Sequence, residues 1–297
     1  MQVEFSFVDV FADQPLTGNP LAVVREAQRL DDSVMQSIAR EFNQAETTFL
    51  FPPSTNRDNW RLRSFTASGQ EVFGAGHNAL GAWWWLAESG ALKLGAGLNS
   101  FIQEIGDHRL PVEVHLDGRN VISVTLIQTA PVSGEICEDL DSLAGSLGLE
   151  PTDLLPQLFP AQVVSTGAAH LLVPVRTRQA VDRARPDSQR LAETLQSVGG
   201  QGCYIFCLDT VLPSSSAYAR FFNPTVGIVE DSATGSAAGP LACQLIAHGI
   251  AKCGETIAIE QGYGMGRPSL LSVELRDGQV RLAGRCVLSV EGLLRIE

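Results

Sequence analysis

Apolar and polar positions alternate from the start of the chain. Val3, Phe5 and Phe7 against Glu4 and Ser6 predict a strand from Val3 to Val10. Asp13-Gln14-Pro15-Leu16-Thr17-Gly18-Asn19-Pro20 is a turn cluster, and Leu21 to Val24 reads as the returning strand. The period then changes. Asp31, Asp32 and Ser33 supply cap oxygens, and Met35, Ile38, Ala39 and Phe42 fall on one face of a helix. Asn43-Gln44-Ala45 closes that helix. Glu46 stands directly before the β-rich run Thr47 to Phe51, which Pro52-Pro53 stops. Residues 54–60 read as a polar loop and Arg61 to Phe65 as the next strand.

Further along, Leu110 to Leu116 and Val121 to Ile127 alternate like paired strands around an Asp117-Gly118 turn. Leu140 to Leu149 predicts a short helix ending at or beyond Gly148. Val163 to Gly167 leads into a strand over Leu171 to Val175, and residues 178–198 form a charged amphipathic helix. Tyr204 to Leu208 and Ala219 to Phe222 are strands. Ile257 to Glu260 precedes the glycine-rich connection Gln261 to Pro268, and the last segments, Leu271 to Glu274, Gln279 to Ala283 and Cys286 to Val290, are strand-like.

Two stretches repeat one arrangement. Arg63-Ser64-Phe65-Thr66 leads through a glycine turn at Gly74-Ala75-Gly76 into an apolar helix over Ala79 to Ala87, closed by Gly90. Arg220-Phe221-Phe222-Asn223 leads through Asp231-Ser232-Ala233-Thr234-Gly235 into an apolar helix over Ala237 to Ala247, closed by Gly249. A helix apolar all round is buried, and glycine just past its end is the expected left-handed cap. An internal duplication follows, with one buried helix and a surrounding sheet per half. Trp83-Trp84-Trp85 continues the first helix and reads as core packing rather than a stacking platform.

The chain's 297 residues, 44% of them hydrophobic, suffice for one large domain or two ordinary ones, and the duplication favours two. The boundaries are drawn at 1–125 and 126–284, with the C-terminal strand, about 285–297, as a candidate to return to the first. A formal charge of −12 argues against nucleic acid and anionic membrane surfaces as partners. With no membrane-length apolar run and no signal-like N-terminus, a cytoplasmic protein is the expectation. Six scattered cysteines show no Cys-x-x-Cys pair and no disulfide framework; Cys203 and Cys207, in an apolar strand-like run, are expected to be buried thiols rather than zinc ligands, and no metal site is predicted.

The chemistry lies at the helix mouths. Unpaired N–H groups and the dipole there favour an anion such as a carboxylate or phosphate. Asp231, Thr234 and Ser236 stand at the second mouth and His77 at the first. Glu46, where a helix hands over to a strand, is either a solvated or arginine-paired carboxylate or a partly buried one of raised pKa, suited to moving protons. His77 is either a structural histidine or a site residue. Gly74-Ala75-Gly76-His77-Asn78-Ala79 fits the loose dinucleotide fingerprint, but the acidic residue expected roughly twenty positions on is missing, and no phosphate-binding P-loop is present. The remaining constellation suits proton removal next to a carboxylate, with the helix dipoles stabilising the anion.

Val8-Asp9-Val10-Phe11, Gly18-Asn19-Pro20-Leu21-Ala22-Val23, Ala39-Arg40-Glu41-Phe42-Asn43-Gln44-Ala45-Glu46-Thr47, Arg63-Ser64-Phe65-Thr66 with Gly76-His77, Glu230-Asp231-Ser232-Ala233-Thr234-Gly235-Ser236-Ala237-Ala238-Gly239 and Gln261-Gly262 with Met265-Gly266-Arg267-Pro268 together resemble the phenazine-biosynthesis isomerase-like (PhzF-like) family, nearly end to end. The resemblance implies an α+β, diaminopimelate-epimerase-like fold: two pseudo-symmetric domains, each a curved sheet rolled round a central helix, with the site between them. It also implies a homodimer, no cofactor, and a small anionic substrate. Glu46 falls at the family's proton-moving glutamate, and His77, Asp231 and Ser236 at catalytic positions around the substrate. Gly76, Asn78, Gly235 and Ala237 fall at substrate-binding positions. Ala75 and Ser232 stand where epimerases of this fold carry paired catalytic cysteines, so a two-thiol mechanism is not expected. The function expected is a cofactor-independent isomerase acting through a single glutamate. The alternatives are a non-catalytic carboxylate-binding protein with the same cleft and a dinucleotide-dependent oxidoreductase.

Overall fold

The computed structural model describes residues 1–52, 60–118 and 120–296. The polar loop expected over 54–60 therefore lies, apart from Trp60, outside the described residues. The chain divides into two units, Met1–Ile127 with Ala283–Glu297, and Gln128–Leu282. No helix among the described residues is long and apolar enough to cross a membrane.

The first unit runs β1 (Gln2–Val10), β2 (Asn19–Val24), α1 (Asp32–Phe42), β3 (Glu46–Phe51), β4 (Trp60–Thr66), β5 (Glu71–Val72), α2 (His77–Glu88), β6 (Gly97–Ile105), β7 (His108–Asp117) and β8 (Asn120–Gln128). The second runs β9 (Val132–Ile136), α3 (Leu140–Ser146), β10 (Gln162–Ser165), β11 (Ala169–Pro174), α4 (Arg178–Arg183), α5 (Ser188–Ser197), β12 (Gly202–Cys207), β13 (Ala217–Asn223), β14 (Ile228–Asp231), α6 (Gly235–Ala247), β15 (Thr256–Gln261), β16 (Ser269–Arg276) and β17 (Gln279–Gly284). The last strand, β18 (Cys286–Arg295), pairs with β1 in the first unit.

The two units share one pairing scheme. In the first, β18, β1 and β2 are successively antiparallel, β2–β3 is parallel, β3–β4 antiparallel, β4–β6 parallel and β6–β7 antiparallel. In the second, β9, β10 and β11 are successively antiparallel, β11–β12 is parallel, β12–β13 antiparallel, β13–β15 parallel and β15–β16 antiparallel. The duplication read from the glycine turns is thus a duplication of the whole sheet.

Each sheet encloses one apolar helix. Every residue of α2 from His77 to Ala87 is buried, and the helix touches β1, β2, β3, β7 and β18. α6 touches β10, β11 and β16. The tryptophans of α2 are core, and their ring N–H groups are satisfied: Trp83 donates to Gln103 Oε1 at 2.8 Å and Trp85 to Ser6 Oγ at 3.1 Å. The other face of the first sheet packs on α1 through Met35, Ile38, Ala39, Phe49 and Phe65. Full burial of side chains of this size contributes about 1.5–3 kcal/mol each. α1 begins where Asp31 accepts from Val34 N–H at 2.9 Å and ends at Asn43, whose φ of 49° is left-handed. Gly90 and Gly249, with φ of 76° and 72°, follow the ends of α2 and α6 as the sequence predicts.

Several expectations are corrected. The single helix over 178–198 is two, α4 and α5, because Pro186 lies in its interior; Thr177 and Asp187 cap the separate starts. Residues 163–165 belong to β10, a strand in its own right. The helix after Asp139 stops at Ser146, before Gly148 takes up a φ of 67°. The link from β13 to α6 contains a 3₁₀ turn over Pro224–Val226 and the short strand β14. Finally, β6 and β9 fall where the periodicity gave no element.

Candidate active site

In the first unit, Glu46 opens β3 and is half-buried. Its neighbours are Leu21 on parallel β2 and Thr66 on antiparallel β4. Side chains two apart on a strand share a face, so Glu46 shares one with Thr48. Thr48 Oγ1 lies 2.8 Å from Ser64 Oγ, and Ser64 Oγ accepts from Asn78 Nδ2 at 3.1 Å. That face is therefore the one carrying the start of α2, whose first residue is His77 and whose N-cap is Gly76. His77 is 8% exposed, its Nε2 is buried without a hydrogen-bond partner, and burial pushes its pKa down to about 4. The imidazole is neutral near pH 7.

Asn78 is engaged elsewhere. Its Oδ1 accepts from Gly76 N–H at 2.7 Å, and its Nδ2 donates to Gly74 O at 2.9 Å as well as to Ser64. These bonds close the loop 73–76 onto the strand, and the amide braces the helix mouth from behind. Arg63 on β4 secures the same loop, donating from Nε and Nη2 to the two oxygens of Glu71 on β5 at 2.7 and 2.8 Å.

In the second unit, Asp231 ends β14, and its Oδ2 accepts from Thr234 Oγ1 at 2.6 Å. Gln261, at the end of β15, knits this turn together. Its Nε2 donates to Asp231 O at 2.8 Å and to Thr234 Oγ1 at 3.0 Å, and its Oε1 accepts from Thr234 N–H at 3.1 Å and from Tyr204 OH at 2.9 Å. Thr234 is the N-cap of α6, Gly235 its first residue and Ser236 its second. The helix starts are thus offset by one: Gly76 precedes α2, whereas Gly235 lies inside α6. Ala237 is buried, and its N–H bonds Thr234 O at 3.1 Å. The first-turn N–H groups ahead of it have no i−4 carbonyl, and Ser236 in that turn is half-buried.

Sequence reasoning passed over His170. It lies in the apolar strand β11, 3% exposed, with Nε2 3.0 Å from Ser236 Oγ. Burial pushes its pKa down to about 4 as well. No local signal marks it, because the contact joins β11 to the start of α6, sixty-six residues away in sequence. Five of the six thiols are withdrawn from chemistry, and the sixth, Cys253, is exposed with its Sγ 3.1 Å from Leu275 O. Cys137, Cys203, Cys207, Cys243 and Cys286 are buried, and desolvation raises all five pKa values, Cys243 to about 11. Among the described residues no group of three or more His, Cys, Asp or Glu side chains is placed to hold a metal ion.

The family model described as phenazine biosynthesis-like protein matches residues 8–292. The chain belongs to that family. It is 34% identical to an uncharacterized isomerase of Mesorhizobium japonicum, covering 97% of each chain. It is 31% identical to the trans-2,3-dihydro-3-hydroxyanthranilate isomerase of Pseudomonas fluorescens, covering 97% of this chain and 96% of the other. A Bacillus anthracis phenazine biosynthesis protein of the PhzF family superposes with a TM-score of 0.90 at 26% identity, with both chains fully covered. A hydroxyproline epimerase of Agrobacterium vitis, at 13% identity and a TM-score of 0.67 over 99% of this chain and 92% of its own, shares the fold alone. The fold is the diaminopimelate-epimerase-like α+β fold, and the protein is of the isomerase class.

Proposed function

We propose that this isomerase shifts a proton between carbons of a small cyclic carboxylate, without a cofactor, using Glu46 as its one acid/base. One observation carries the reading. Phe49 opposes Arg63 in the first unit and Ile205 opposes Arg220 in the second, so Glu46 and Gly202, three residues earlier, occupy the same place in the repeat. A carboxylate stands at that place in one unit and a glycine in the other. Proton transfer by a pair of equivalent bases has no second member here, whereas removal and return by one base needs only Glu46.

In the proposed step the Glu46 carboxylate takes a proton from a carbon conjugated with the substrate's carboxylate. The electron pair of the broken C–H bond delocalises into that system. The Glu46 carboxyl then gives a proton to another carbon of the same system, and no electron acceptor is needed. Neutral His77 and the Asp231 carboxylate orient the substrate's polar groups. The first-turn N–H groups of α6, with the Ser236 hydroxyl, hold the carboxylate and stabilise charge that builds on it.

The test is deuterium uptake from heavy water into carbon positions of a candidate carboxylate. The first probe is trans-2,3-dihydro-3-hydroxyanthranilate, followed by other cyclic amino and hydroxy acids. Loss of an acid/base of this kind costs about 10²–10⁴-fold in rate, so Glu46→Gln should abolish measurable uptake. Undiminished uptake in that variant removes Glu46 from the mechanism. Binding without exchange by the unmodified protein, across the panel, favours a carboxylate-binding protein instead.

A further inference from the structure

His170 and Gly202 are direct neighbours on the parallel strands β11 and β12. In the repeat they stand where Leu21 and Glu46 stand in the first unit. The missing side chain at Gly202 leaves the room that the histidine ring uses. A Cβ there would come within 2.4 Å of Phe221 Cζ and 3.2 Å of His170 Nδ1. The imidazole packs edge-on against Phe221, with ring centroids 5.0 Å apart at 85°. Where the first unit pairs leucine with glutamate, the second pairs histidine with glycine, and the histidine reaches Ser236.

We infer that His170 is a positioning residue that carries its proton on Nε2, donates it to Ser236 Oγ, and so leaves the serine's own hydroxyl hydrogen to point at a ligand anion. A neutral imidazole has one N–H. On Nδ1 that N–H would be a donor in a buried position that has no hydrogen-bond partner. Orphaned buried donors are rarer than under-satisfied acceptors, and leaving one unpaired costs about 1–3 kcal/mol. On Nε2 the same proton meets Ser236 Oγ at 3.0 Å. With its oxygen accepting from the histidine, the serine's hydrogen is directed away from the ring, beside the first N–H groups of α6. The opposite tautomer would make Ser236 a donor to the ring and present oxygen lone pairs to an incoming carboxylate, which repels it. His170 therefore decides whether the Ser236 hydroxyl adds to, or works against, the hold of the α6 N–H groups on an anion.

The inference rests on the proposed role of Ser236 in holding a carboxylate, but its first test does not depend on activity. In protein labelled with ¹⁵N-histidine, long-range ¹H–¹⁵N correlations at pH 7 should show His170 as the neutral Nε2–H tautomer. The signal is assigned by its loss in His170→Phe, and independently by its shift in Ser236→Ala if the first variant does not fold. An Nδ1–H or doubly protonated pattern overturns the proposal, whatever the exchange assay gives.

The second test uses deuterium uptake by the substrate of that assay. His170→Phe, which keeps a ring but no donor, should raise KM roughly tenfold with a smaller change in kcat. His170→Gln, which keeps an N–H near the Nε2 place, should restore much of it. In a Ser236→Ala background the His170→Phe change should have little further effect. Equal and additive losses in both backgrounds would make His170 a packing residue only and overturn the role. Failure of exchange in the unmodified protein would count against the proposed reaction and leave the tautomer result to decide the inference.

Discussion

Arg220 meets Glu230 through two hydrogen bonds of 2.8 Å, from Nε and Nη2 to the two carboxylate oxygens, and this clamp joins β13 to the strand that delivers Asp231 to α6. Arg63 and Glu71 make the same clamp ahead of α2. Each helix mouth is thus held by an arginine fork, a geometry that an ammonium cannot reproduce. The two differ in burial: side-chain exposure is 6% for Arg220 and 15% for Arg63. Arg220 Nη1 also donates to Val181 O at 2.9 Å and Ala184 O at 3.0 Å. Removing a buried partner costs about 3–5 kcal/mol because the other charge is stranded. Arg220→Met should lose about that much in urea unfolding, and Arg220→Lys about 1–3 kcal/mol. Arg63→Lys should lose less than Arg220→Lys, and the reverse order would show that burial does not set the strength of the clamp.

The fit of α6 in its sheet sets a second expectation. A Cβ on Gly239 would come within 1.9 Å of Gln128 Oε1 and 3.0 Å of Thr166 Oγ1. Gln128 is not free to move aside, since its Nε2 donates to Gly235 O at 2.9 Å and its Oε1 accepts from Thr166 Oγ1 at 2.8 Å. Gly239→Ala should therefore destabilise by about 1–3 kcal/mol, the usual cost of overpacking, despite alanine's better helix propensity. Gly74→Ala is the control, because its Cβ would meet nothing within 4 Å. Equal unfolding midpoints for the two variants would refute the close approach at Gly239.

Gln261 is the third point of leverage. Replacing it with leucine keeps the volume but strands two buried donors, Thr234 N–H and Tyr204 OH. At about 1–3 kcal/mol for each unsatisfied group, Gln261→Leu should lose several kcal/mol. Tyr204→Phe removes one of those donors together with its demand. The double variant should therefore lose less than the sum of the single changes, and strict additivity in denaturant unfolding would contradict a shared bond.

The sequence shows the repeat, the buried helices and the mouths of both because those rest on local pattern: glycine turns, a charge-free helix and a cap. It also shows Glu46, His77, Asp231 and Ser236 as candidates, since each stands at a junction between elements and the family resemblance falls on the same positions. His170 is invisible at that level. It reads as part of the apolar run Leu171-Leu172-Val173, and its meaning depends on pairing with Gly202, thirty-two residues on. β6 is missed for a related reason. Asn99, Ser100, Gln103 and Glu104 interrupt its apolar alternation, and its place is set by pairing with β4 and β7. The break between α4 and α5 was available locally at Pro186, and the apolar periodicity on either side concealed it.

The two buried histidines predict how stability depends on pH. Burial lowers His77 and His170 to about 4 from an ordinary value of 6.5. Between those values the unfolded chain binds protons that the folded one refuses, so stability falls as pH drops from about 6.5 towards 4 and is flat with respect to these groups above about 7. Each contributes a slope of up to about 1.4 kcal/mol per pH unit inside that window. Carboxylates whose values are lowered, such as Asp32 beside Arg63, release most of their contribution below the ordinary value of 3.8, outside that window. Urea midpoints measured from pH 4.5 to 7.5 should therefore rise with pH in the unmodified protein. The rise should be shallower in His170→Phe, where one of the two refusing groups is gone. A slope unchanged by that substitution would mean that His170 titrates alike in both states and is not buried as a neutral ring.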